Sequence, residues 1–390
     1  MEENKIYQRD FVQSFTEAFI DPEYCLDPSM PREKIICPAC RYTECVYLID
    51  REPGDKFLKK VYVCGRIGRT GKPECKNIFS PLKYIKLVSR GETYAYREHG
   101  IANEEVIVML HGNFTSSYIF ERTLNKLSEG FRVIAPDLRG FGLSSYANKL
   151  KSIDDFADDV NSFLHELKIV KYTVLGWDLG AAVALKLAAF YPAYLDKVIL
   201  VNPIGLTGKT YLRDPYDENS LIPEWPEDPK DIANDTRVVQ FMSALKDKKK
   251  DFFKNYFTEE IFTIRMPEND RLDSYIENFM AQRNLLEIMT CIAEYDISEY
   301  GTNDIHKIQT PTLILCGKND YKTPLNEAIE IKEKLGDDVA TLKVFEDVGH
   351  VLMEDSLEDF VDNLFEYCLV SNEQNEQEME MEEDNEYRFE

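Results

Sequence analysis

The 390-residue sequence predicts an α/β protein whose main domain holds a mostly parallel sheet with helices on both faces. Two observations lead to this fold class. From residue 85 onward, short apolar runs alternate with helix-like segments, which is the pattern of βαβ units. Those runs are continuous rather than alternating, as in strands that are buried on both faces. With 44% apolar residues, the chain has enough hydrophobic side chains to build such a core.

The elements of this domain are predicted in order along the chain. It begins with a hairpin of residues 85–88 and 93–97 that turns at Gly91. Further strands are expected at residues 106–110, 132–135, 172–175, 197–201, 312–315 and 342–345. Helices are expected between them at residues 118–127, 153–168 and 179–191. Residues 205–307 lie between two core strands, and we expect them to form a helical lid.

The formal charge of −25 is unevenly distributed and divides the chain into four segments. Residues 1–30 contain no assignable motif, whereas residues 31–80 hold eleven bases and six acids. The main domain is expected at residues 81–370, with a net charge of −17. Residues 371–390 hold nine acids and one arginine. We expect this acidic tail to be disordered, because its few apolar residues cannot offset the entropy of ordering.

Composition also restricts the class of partner and the compartment. The bulk acidity makes nucleic acid unlikely as the main partner, and the same holds for an anionic membrane. No run approaches the roughly 18 apolar residues of a membrane span. The start MEENKIYQRD lacks the pattern of a signal peptide, so a cytoplasmic or other intracellular protein is expected. Its nine cysteines are therefore interpreted as reduced thiols or metal ligands.

Four cysteines near the N-terminus have the pattern of a metal site. Cys37 and Cys40 are separated by two residues, so one tight turn can present both thiolates to a metal ion. Two β-like runs follow, and Cys64 and Cys75 supply two further ligands for structural zinc. This module resembles a zinc ribbon, although its second cysteine pair is ten residues apart. Cys45 is a competing ligand, and a metal-free β-hairpin module is the alternative interpretation.

The charged segments outside the main domain allow two interpretations. A protein partner could bind the basic module of residues 31–80 or the acidic tail, because each carries a net charge of one sign. The alternative is that both are solvated surfaces without a partner. The module shows no interleaved aromatic and basic residues of the kind that stack nucleic-acid bases.

Three motifs fall at the ends of predicted strands, where open α/β sheets place their sites. Gly176-Trp177-Asp178-Leu179-Gly180 joins a strand to a helix and has the pattern of a nucleophile elbow. Asp320 follows the strand at 312–315, and His350 follows the strand at 342–345. The order of elbow, acid and histidine is that of a hydrolytic triad. The alternatives are a turn-forming aspartate and a histidine whose hydrogen bonds are satisfied within the core.

Residues 85–370 resemble the α/β-hydrolase superfamily over the full domain. The loop 111–118, HGNFTSSY, is similar to the oxyanion loop of haloalkane dehalogenases and of polyhydroxybutyrate depolymerase-like hydrolases. The lid string 280–285, MAQRNL, is more similar to the depolymerase-like group. The segment 135–142, APDLRGFG, also resembles a loop of the family, and we interpret it as structural.

This resemblance implies a role for each residue of the motifs. Asp178 would be the nucleophile, Asp320 the acid of the triad and His350 the base. The backbone N–H groups of Asn113 and Leu179 would form an oxyanion hole. Catalysis would need no cofactor.

An aspartate at position 178 changes the chemistry, because serine-type members of the superfamily have serine there. A carboxylate is ionised at neutral pH without help. Attack on a carboxylic ester would give a mixed anhydride, a poor intermediate, whereas attack on a saturated carbon gives an alkyl ester. Water activated by His350 could hydrolyse that ester, as in the resembled haloalkane dehalogenases and epoxide hydrolases.

The residues around the elbow bear on the choice of substrate. Dehalogenases of the resembled group have Trp or Arg directly after the nucleophile, where this sequence has Leu179. Asn113 could donate to a halide, but Trp177 lies on the wrong side of the elbow. Opening an epoxide needs an acid, commonly a pair of lid tyrosines in that group. The lid offers Tyr211, Tyr216, Tyr256, Tyr275, Tyr295 and Tyr300 as candidates.

We therefore expect a hydrolase with an Asp nucleophile that acts on an epoxide or a related small apolar organic compound. One alternative is a catalytically inactive hydrolase fold that serves as an interaction or scaffold protein. Leu179 and the appended segments favour that alternative, whereas Asp320 and His350 favour catalysis. The second alternative is a carboxylic ester hydrolase.

Overall fold

The computed structural model describes residues 82–208 and 229–369, with backbone alone at 229, 230 and 270. It also describes the backbone of four short strands nearer the N-terminus. They form an antiparallel sheet in the order β1 (Arg32–Glu33), β2 (Cys45–Asp50), β3 (Lys59–Cys64) and β4 (Ile78–Phe79).

The predicted zinc site falls mainly outside the described residues. Cys64 ends β3 and is the register partner of Cys45 on β2. The other predicted ligands, Cys37, Cys40 and Cys75, are not among the described residues. Where the chain is described, no group of three or more His, Cys, Asp or Glu side chains could hold a metal ion. The zinc site therefore stays a prediction, as does the disordered tail at residues 371–390.

The main domain is built on an eight-stranded sheet, and this confirms the predicted fold class. The strands are β5 (Lys83–Leu87), β6 (Glu92–His99), β7 (Val106–Leu110), β8 (Arg132–Pro136), β9 (Tyr172–Asp178), β10 (Leu195–Pro203), β11 (Thr312–Gly317) and β12 (Ala340–Phe345). Their order in the sheet is β12-β11-β10-β9-β7-β8-β6-β5. β6 runs antiparallel to both of its neighbours, β5 and β8, and all the other pairs in this sheet are parallel. β9, at the centre, is fully buried and ends at Asp178.

Helices connect the parallel strands and cover the sheet. The core helices are α1 (Glu121–Leu127), α2 (Asp154–Glu166), α3 (Leu179–Phe190), α8 (Leu325–Leu335), α9 (Leu352–Asp355) and α10 (residues 357–369). The β7-to-β8 connection through α1 runs opposite to the connections through α2, α3 and α8. Because parallel crossovers are right-handed, α1 lies on one face and those three helices lie on the other. Phe365 of α10 packs against Phe131 after α1, so α10 covers the α1 face.

The segment between β10 and β11 contains four helices where it is described. They are α4 (Thr236–Lys246), α5 (Lys250–Tyr256), α6 (Asn269–Met280) and α7 (Leu285–Glu294). Aromatic side chains from this segment pack on Phe114 of the core, with Phe241 stacked at 5.3 Å and Phe279 edge-on at 5.1 Å between ring centroids. Each such pair contributes about 0.5–1.5 kcal/mol beyond its buried area. The packing holds these helices over the carboxyl ends of the central strands.

Within the described part of the chain, no helix is both long and apolar enough to cross a bilayer.

Candidate active site

Asp178 occupies a strained turn between β9 and α3. Its backbone has φ 54° and ψ −119°, a conformation that costs an L-residue about 1–3 kcal/mol. The flanking glycines make the turn possible. A Cβ on Gly176 would lie 2.1 Å from the carbonyl oxygen of Gly180, and one on Gly180 would lie 2.1 Å from that of Leu110. The elbow predicted from the Gly-x-Asp-x-Gly string is therefore present.

One oxygen of the Asp178 carboxylate is held by backbone N–H groups. The N–H of Asn113 donates to Oδ1 at 2.8 Å, and the N–H of Leu179 also bonds to the carboxylate. A Cβ on Gly112 would come within 2.8 Å of the Asp178 side chain, so glycine is needed beside it. Burial raises the pKa of Asp178, although His350 and the two N–H groups act in the opposite direction.

His350 lies between two carboxylates. Its Nδ1 is 2.9 Å from Asp320 Oδ2, and its Nε2 is 3.6 Å from Asp178 Oδ2. Burial alone would lower the pKa of His350, but the charge and hydrogen bond of Asp320 outweigh it, so that the pKa is raised. The structure thus brings together all five predicted residues, from β7, β9, β11 and β12: Asn113, Asp178, Leu179, Asp320 and His350.

Asp320 is oriented by its own loop. Its Oδ1 accepts the backbone N–H groups of Lys322 and Thr323, and its Oδ2 accepts the Thr323 hydroxyl at 2.6 Å. Asn202, at the end of β10, joins this loop to the histidine loop. Its side-chain amide donates to the His350 carbonyl at 2.7 Å, and its backbone carbonyl oxygen lies 3.1 Å from the Thr323 hydroxyl oxygen. Sequence analysis missed Asn202, whose signal was an amide directly after a buried strand.

Trp177 contacts both the backbone and the ring of His350. Its indole N–H donates to the His350 carbonyl oxygen at 2.9 Å, and the two rings lie 5.1 Å apart between centroids. The indole therefore faces the histidine loop. This position agrees with the expectation that Trp177 lies on the wrong side of the elbow to bind a leaving halide.

His111 is a structural histidine in this arrangement. Its Nε2 accepts the backbone N–H of Leu138 at 3.0 Å, so its proton lies on Nδ1, which contacts the Gly112 carbonyl oxygen at 2.8 Å. Burial lowers the pKa of His111, which favours this neutral form. His111 thereby ties the loop carrying Asn113 to the segment 135–142.

The lid string 280–285 contacts the core at the same place. Gln282 donates to the Asn113 side-chain oxygen at 3.0 Å, and Asn284 donates to the Arg139 carbonyl at 2.7 Å. The Asn113 amide nitrogen lies 3.6 Å from Met289 Sδ, a weak acceptor. These contacts position the Asn113 side chain and tie residues 280–285 to the loop that follows β7 and to the segment 135–142.

Among the lid tyrosines within the described residues, Tyr256 is the one on whose phenol the charge of Asp178 acts. Burial, then Glu260 and Asp178, raise the pKa of Tyr256 well above its ordinary value. Its hydroxyl makes no hydrogen bond within the described part of the chain. By contrast, Tyr275 donates to Glu354, and Tyr300 is 89% exposed. Tyr295 lies near Asp304, while Tyr211 and Tyr216 fall outside the described residues.

Lys322 is a buried cation of the site that sequence analysis missed. Its Nζ lies over the rings of Tyr256 and Phe114, at 5.4 and 5.9 Å from their centroids. Nζ is also 3.7 Å from Glu260 Oε2 of the lid. Burial lowers the pKa of Lys322, although the charges of Glu260 and Asp178 oppose that shift. The sequence could have indicated Lys322 as a site residue only through its position two residues after Asp320. A lysine in such a loop is more readily interpreted as a surface residue.

Comparison with known proteins gives relatives with several activities. The chain is 24% identical over 345 residues to epoxide hydrolase 4 of Mus musculus, covering 82% of this chain and 87% of the relative. It is 27% identical over 295 residues to lipase 3 of Moraxella sp., covering 71% and 81%. An esterase structure from Exiguobacterium antarcticum superposes with a TM-score of 0.59 and 25% identity, covering 73% and 98%.

A family model also matches the chain over more than half of its length. The family described as alpha/beta hydrolase fold matches residues 105–357, which include the elbow, the acid loop and the histidine loop. The sheet order and the elbow geometry described above agree with that match. The chain belongs to the alpha/beta hydrolase fold family.

Proposed function

We propose that the protein is a hydrolase whose Asp178 attacks a saturated carbon of an epoxide or a related small apolar compound. The observation that carries this proposal is the orientation of the Asp178 carboxylate. Oδ1 accepts the N–H of Asn113, whereas Oδ2 lies 3.6 Å from Nε2 of His350. One oxygen is therefore engaged by the oxyanion donors, and the other faces the space that a substrate would share with the base.

The first step forms a covalent ester. Oδ2 of Asp178 bonds to the substrate carbon while the bond from that carbon to the epoxide oxygen breaks. Oδ1 becomes the carbonyl oxygen of the ester and stays on the N–H groups of Asn113 and Leu179. The carboxylate needs no base to activate it, because it is already an anion when it reacts.

The second step hydrolyses the ester. His350 Nε2 takes a proton from water as the water oxygen attacks the Asp178 carbonyl carbon. The tetrahedral oxyanion develops at Oδ1, where the two N–H groups already point. Collapse breaks the bond from that carbon to Oδ2, which leaves with the product as an alcohol oxygen and takes the proton from His350. Asp320 stabilises the imidazolium that exists in between.

Among the relatives, epoxide hydrolase 4 agrees with this chemistry, whereas the lipase and the esterase are named for ester cleavage. The aspartate at the elbow favours the chemistry of an epoxide hydrolase over ester cleavage. Attack of Asp178 on an ester would give a mixed anhydride, which is a poor intermediate. An aspartate nucleophile is therefore unsuited to acyl transfer. The buried, aromatic surroundings formed by Phe114 and Tyr256 fit a small apolar substrate.

The test is to trap the ester. The His350→Gln variant is incubated with panels of epoxides and alkyl bromides and followed by intact-protein mass spectrometry, with peptide mapping of the adduct. With an epoxide we expect the mass of one whole substrate molecule on Asp178, and with an alkyl bromide the mass of the alkyl group alone, because bromide leaves. Neither adduct should form in the variant that also carries Asp178→Asn. Absence of an adduct from every compound overturns the proposal and favours a catalytically inactive interaction protein.

A serine variant tests the ester-hydrolase alternative. Asp178→Ser should acquire cleavage of small activated esters, because His350, Asp320 and the N–H pair would then serve an ordinary acyl transfer. Wild-type protein that cleaves those esters as fast as the variant contradicts the assignment of Asp178 to alkyl transfer.

For the N-terminal part, we propose a zinc module at residues 31–80, after residues 1–30 and before the hydrolase domain at 81–370. The antiparallel pairing of β2 with β3, which sets Cys45 opposite Cys64, supports a ribbon-like hairpin. Thiolate ligands also suit zinc. One zinc per chain is expected after purification without chelator, and a ratio near zero contradicts it. Loss of zinc in Cys64→Ser but not Cys45→Ser would decide between the competing ligands.

A further inference from the structure

We propose that Lys322 is the proton donor to the oxygen that leaves the substrate carbon when the epoxide ring opens. This inference rests on the proposed function, since it assigns a step within the same site. Asp178, His350 and Asp320 account for the nucleophile, the base and its orienting acid. They supply no proton to the departing oxygen in the first step, so a further donor is required.

The backbone of Lys322 is held in place by a hydrogen bond, and its ammonium group is buried. Its backbone N–H donates to Asp320 Oδ1 at 2.7 Å, so the side chain begins at the acid loop of the triad. The residue is 9% exposed. Its Nζ reaches the paired rings of Phe114 and Tyr256, whose centroids are 5.4 Å apart. Phe114 directly follows Asn113, which binds Asp178. The ammonium group is thus beside the elbow and beneath the lid.

Besides His350, two buried donors lie near Asp178, and their surroundings shift their pKa values in opposite directions. Burial and the Asp178 charge raise the pKa of Tyr256, which makes the phenol a weaker acid. Burial lowers the pKa of Lys322, which makes the ammonium a stronger acid, although Glu260 and Asp178 oppose the change. An alkoxide released in this space therefore takes its proton more readily from Lys322. The ring of Tyr256 holds the ammonium in place by a cation–π contact.

The proton balance closes over the two steps. In the first, an N–H bond of Lys322 breaks and the alkoxide O–H bond forms, leaving a neutral amine and the Asp178 ester. In the second, hydrolysis of the ester releases one proton as Asp178 returns to its carboxylate. That proton restores the ammonium. Glu260 offers a path to solvent, because its Oε2 is 3.7 Å from Nζ and its side chain is 38% exposed.

The experiment compares two leaving groups on one carbon chain. In the His350→Gln background, the rate of ester formation is measured by intact mass for 1,2-epoxyhexane and 1-bromohexane. Lys322→Met should slow the epoxide reaction by about a hundredfold or more. The bromide reaction should change by less than about threefold, because bromide leaves without a proton. The bromide rate thus also reports that the variant is folded.

Two further variants separate acid catalysis from charge. Lys322→Arg keeps a cation that does not give up its proton, so we expect the same selective loss with the epoxide. Tyr256→Phe should leave the epoxide-to-bromide ratio of rates unchanged. The inference is overturned if Lys322→Met slows ester formation equally with both compounds. It is also overturned if Tyr256→Phe, and not Lys322→Met, selectively slows ester formation with the epoxide. A different outcome tests the proposed function itself. If the His350→Gln variant with Lys322 intact forms no adduct with either compound, the proposed function fails.

Discussion

The buried charges around Asp159 and those around Asp178 differ in how closely their partners approach. Asp159 is fully buried, and Arg139 reaches it at 2.7 Å and Arg90 at 2.7 Å, while the Tyr94 hydroxyl donates to it at 3.0 Å. At the elbow, by contrast, His350 is 3.6 Å from Asp178 Oδ2. Lys322 there is 3.7 Å from its lid partner, Glu260.

We interpret this difference as one between a cluster that stabilises the fold and a cluster suited to the proposed reaction. Close, multiple ion pairs offset the desolvation of a buried carboxylate, so its charge contributes to the folded state. At Asp178 a backbone N–H donates to Oδ1 at 2.8 Å, but the contact of Oδ2 with His350 is longer, and burial dominates, as the raised pKa of Asp178 indicates. The proposed attack benefits from this environment, because the imidazole does not hold Oδ2 at hydrogen-bond distance.

The largest expected effect is loss of stability on removal of the Asp159 charge. Asp159→Asn removes the buried carboxylate that Arg139 and Arg90 share, and the buried Arg139 thereby loses its close ion pair. We expect the free energy of unfolding to fall by about 3–5 kcal/mol, measured by urea denaturation at pH 7. Asp158→Asn is the matched control on α2, since its side chain is 41% exposed, and it should cost about 1 kcal/mol or less. Similar losses in both variants would contradict the comparison.

The second effect concerns the pH dependence of ester hydrolysis. His350 must be neutral to take a proton, so the rate of ester decay should rise with pH through a midpoint above the ordinary value of 6.5. Asp320→Asn removes the charge that raises the pKa of His350. We expect a lower midpoint and a plateau rate reduced by about a hundredfold. Decay of the ester on protein that retains His350, followed by rapid quenching and intact mass between pH 5 and 9, measures both. An unchanged midpoint would show that Asp320 does not tune His350.

The third effect has the opposite sign to the first. The folded-state pKa of Asp178 is raised, so ionising this carboxylate disfavours the folded state at any pH above its unfolded pKa of about 3.9. Asp178→Asn should therefore raise the free energy of unfolding at pH 7 by about 0.5–2 kcal/mol. The gain should shrink toward pH 3, where both forms are neutral. Urea denaturation at both pH values checks it, and destabilisation at pH 7 would place Asp178 with Asp159.

The smallest effect is expected at the surface and calibrates the other three. Lys318 and Glu346 form an ion pair at 2.5 Å, but their side chains are 53% and 69% exposed. Glu346→Gln should change the free energy of unfolding by about 0.5 kcal/mol or less, because water screens the pair. A larger loss in urea denaturation would mean that short distance alone, without burial, accounts for the difference between the two buried clusters.

Much of the fold could be predicted, because local patterns specify it. The strands of the main sheet overlap the predicted apolar runs, since strands buried on both faces need continuous apolar sequence. The elbow was also readable, because Gly176 and Gly180 are required wherever the chain must turn around residue 178. The order of Asp320 and His350 after it indicated which side chains would meet.

Lys322, Tyr256, Asn202 and the orientation of Trp177 could not be read in the same way. Each depends on which side chains from distant strands and lid helices face one another, and spacing along the chain carries little of that information. Six lid tyrosines were equal candidates in the sequence, and among the four that the structure describes, the packing of α5 against Phe114 favours Tyr256. The sequence alone determined the sheet, the elbow and an aspartate in place of serine. Only the tertiary structure decided which buried groups surround that aspartate. Their pKa values are shifted by burial and by neighbouring charges, and both depend on how distant parts of the chain pack together.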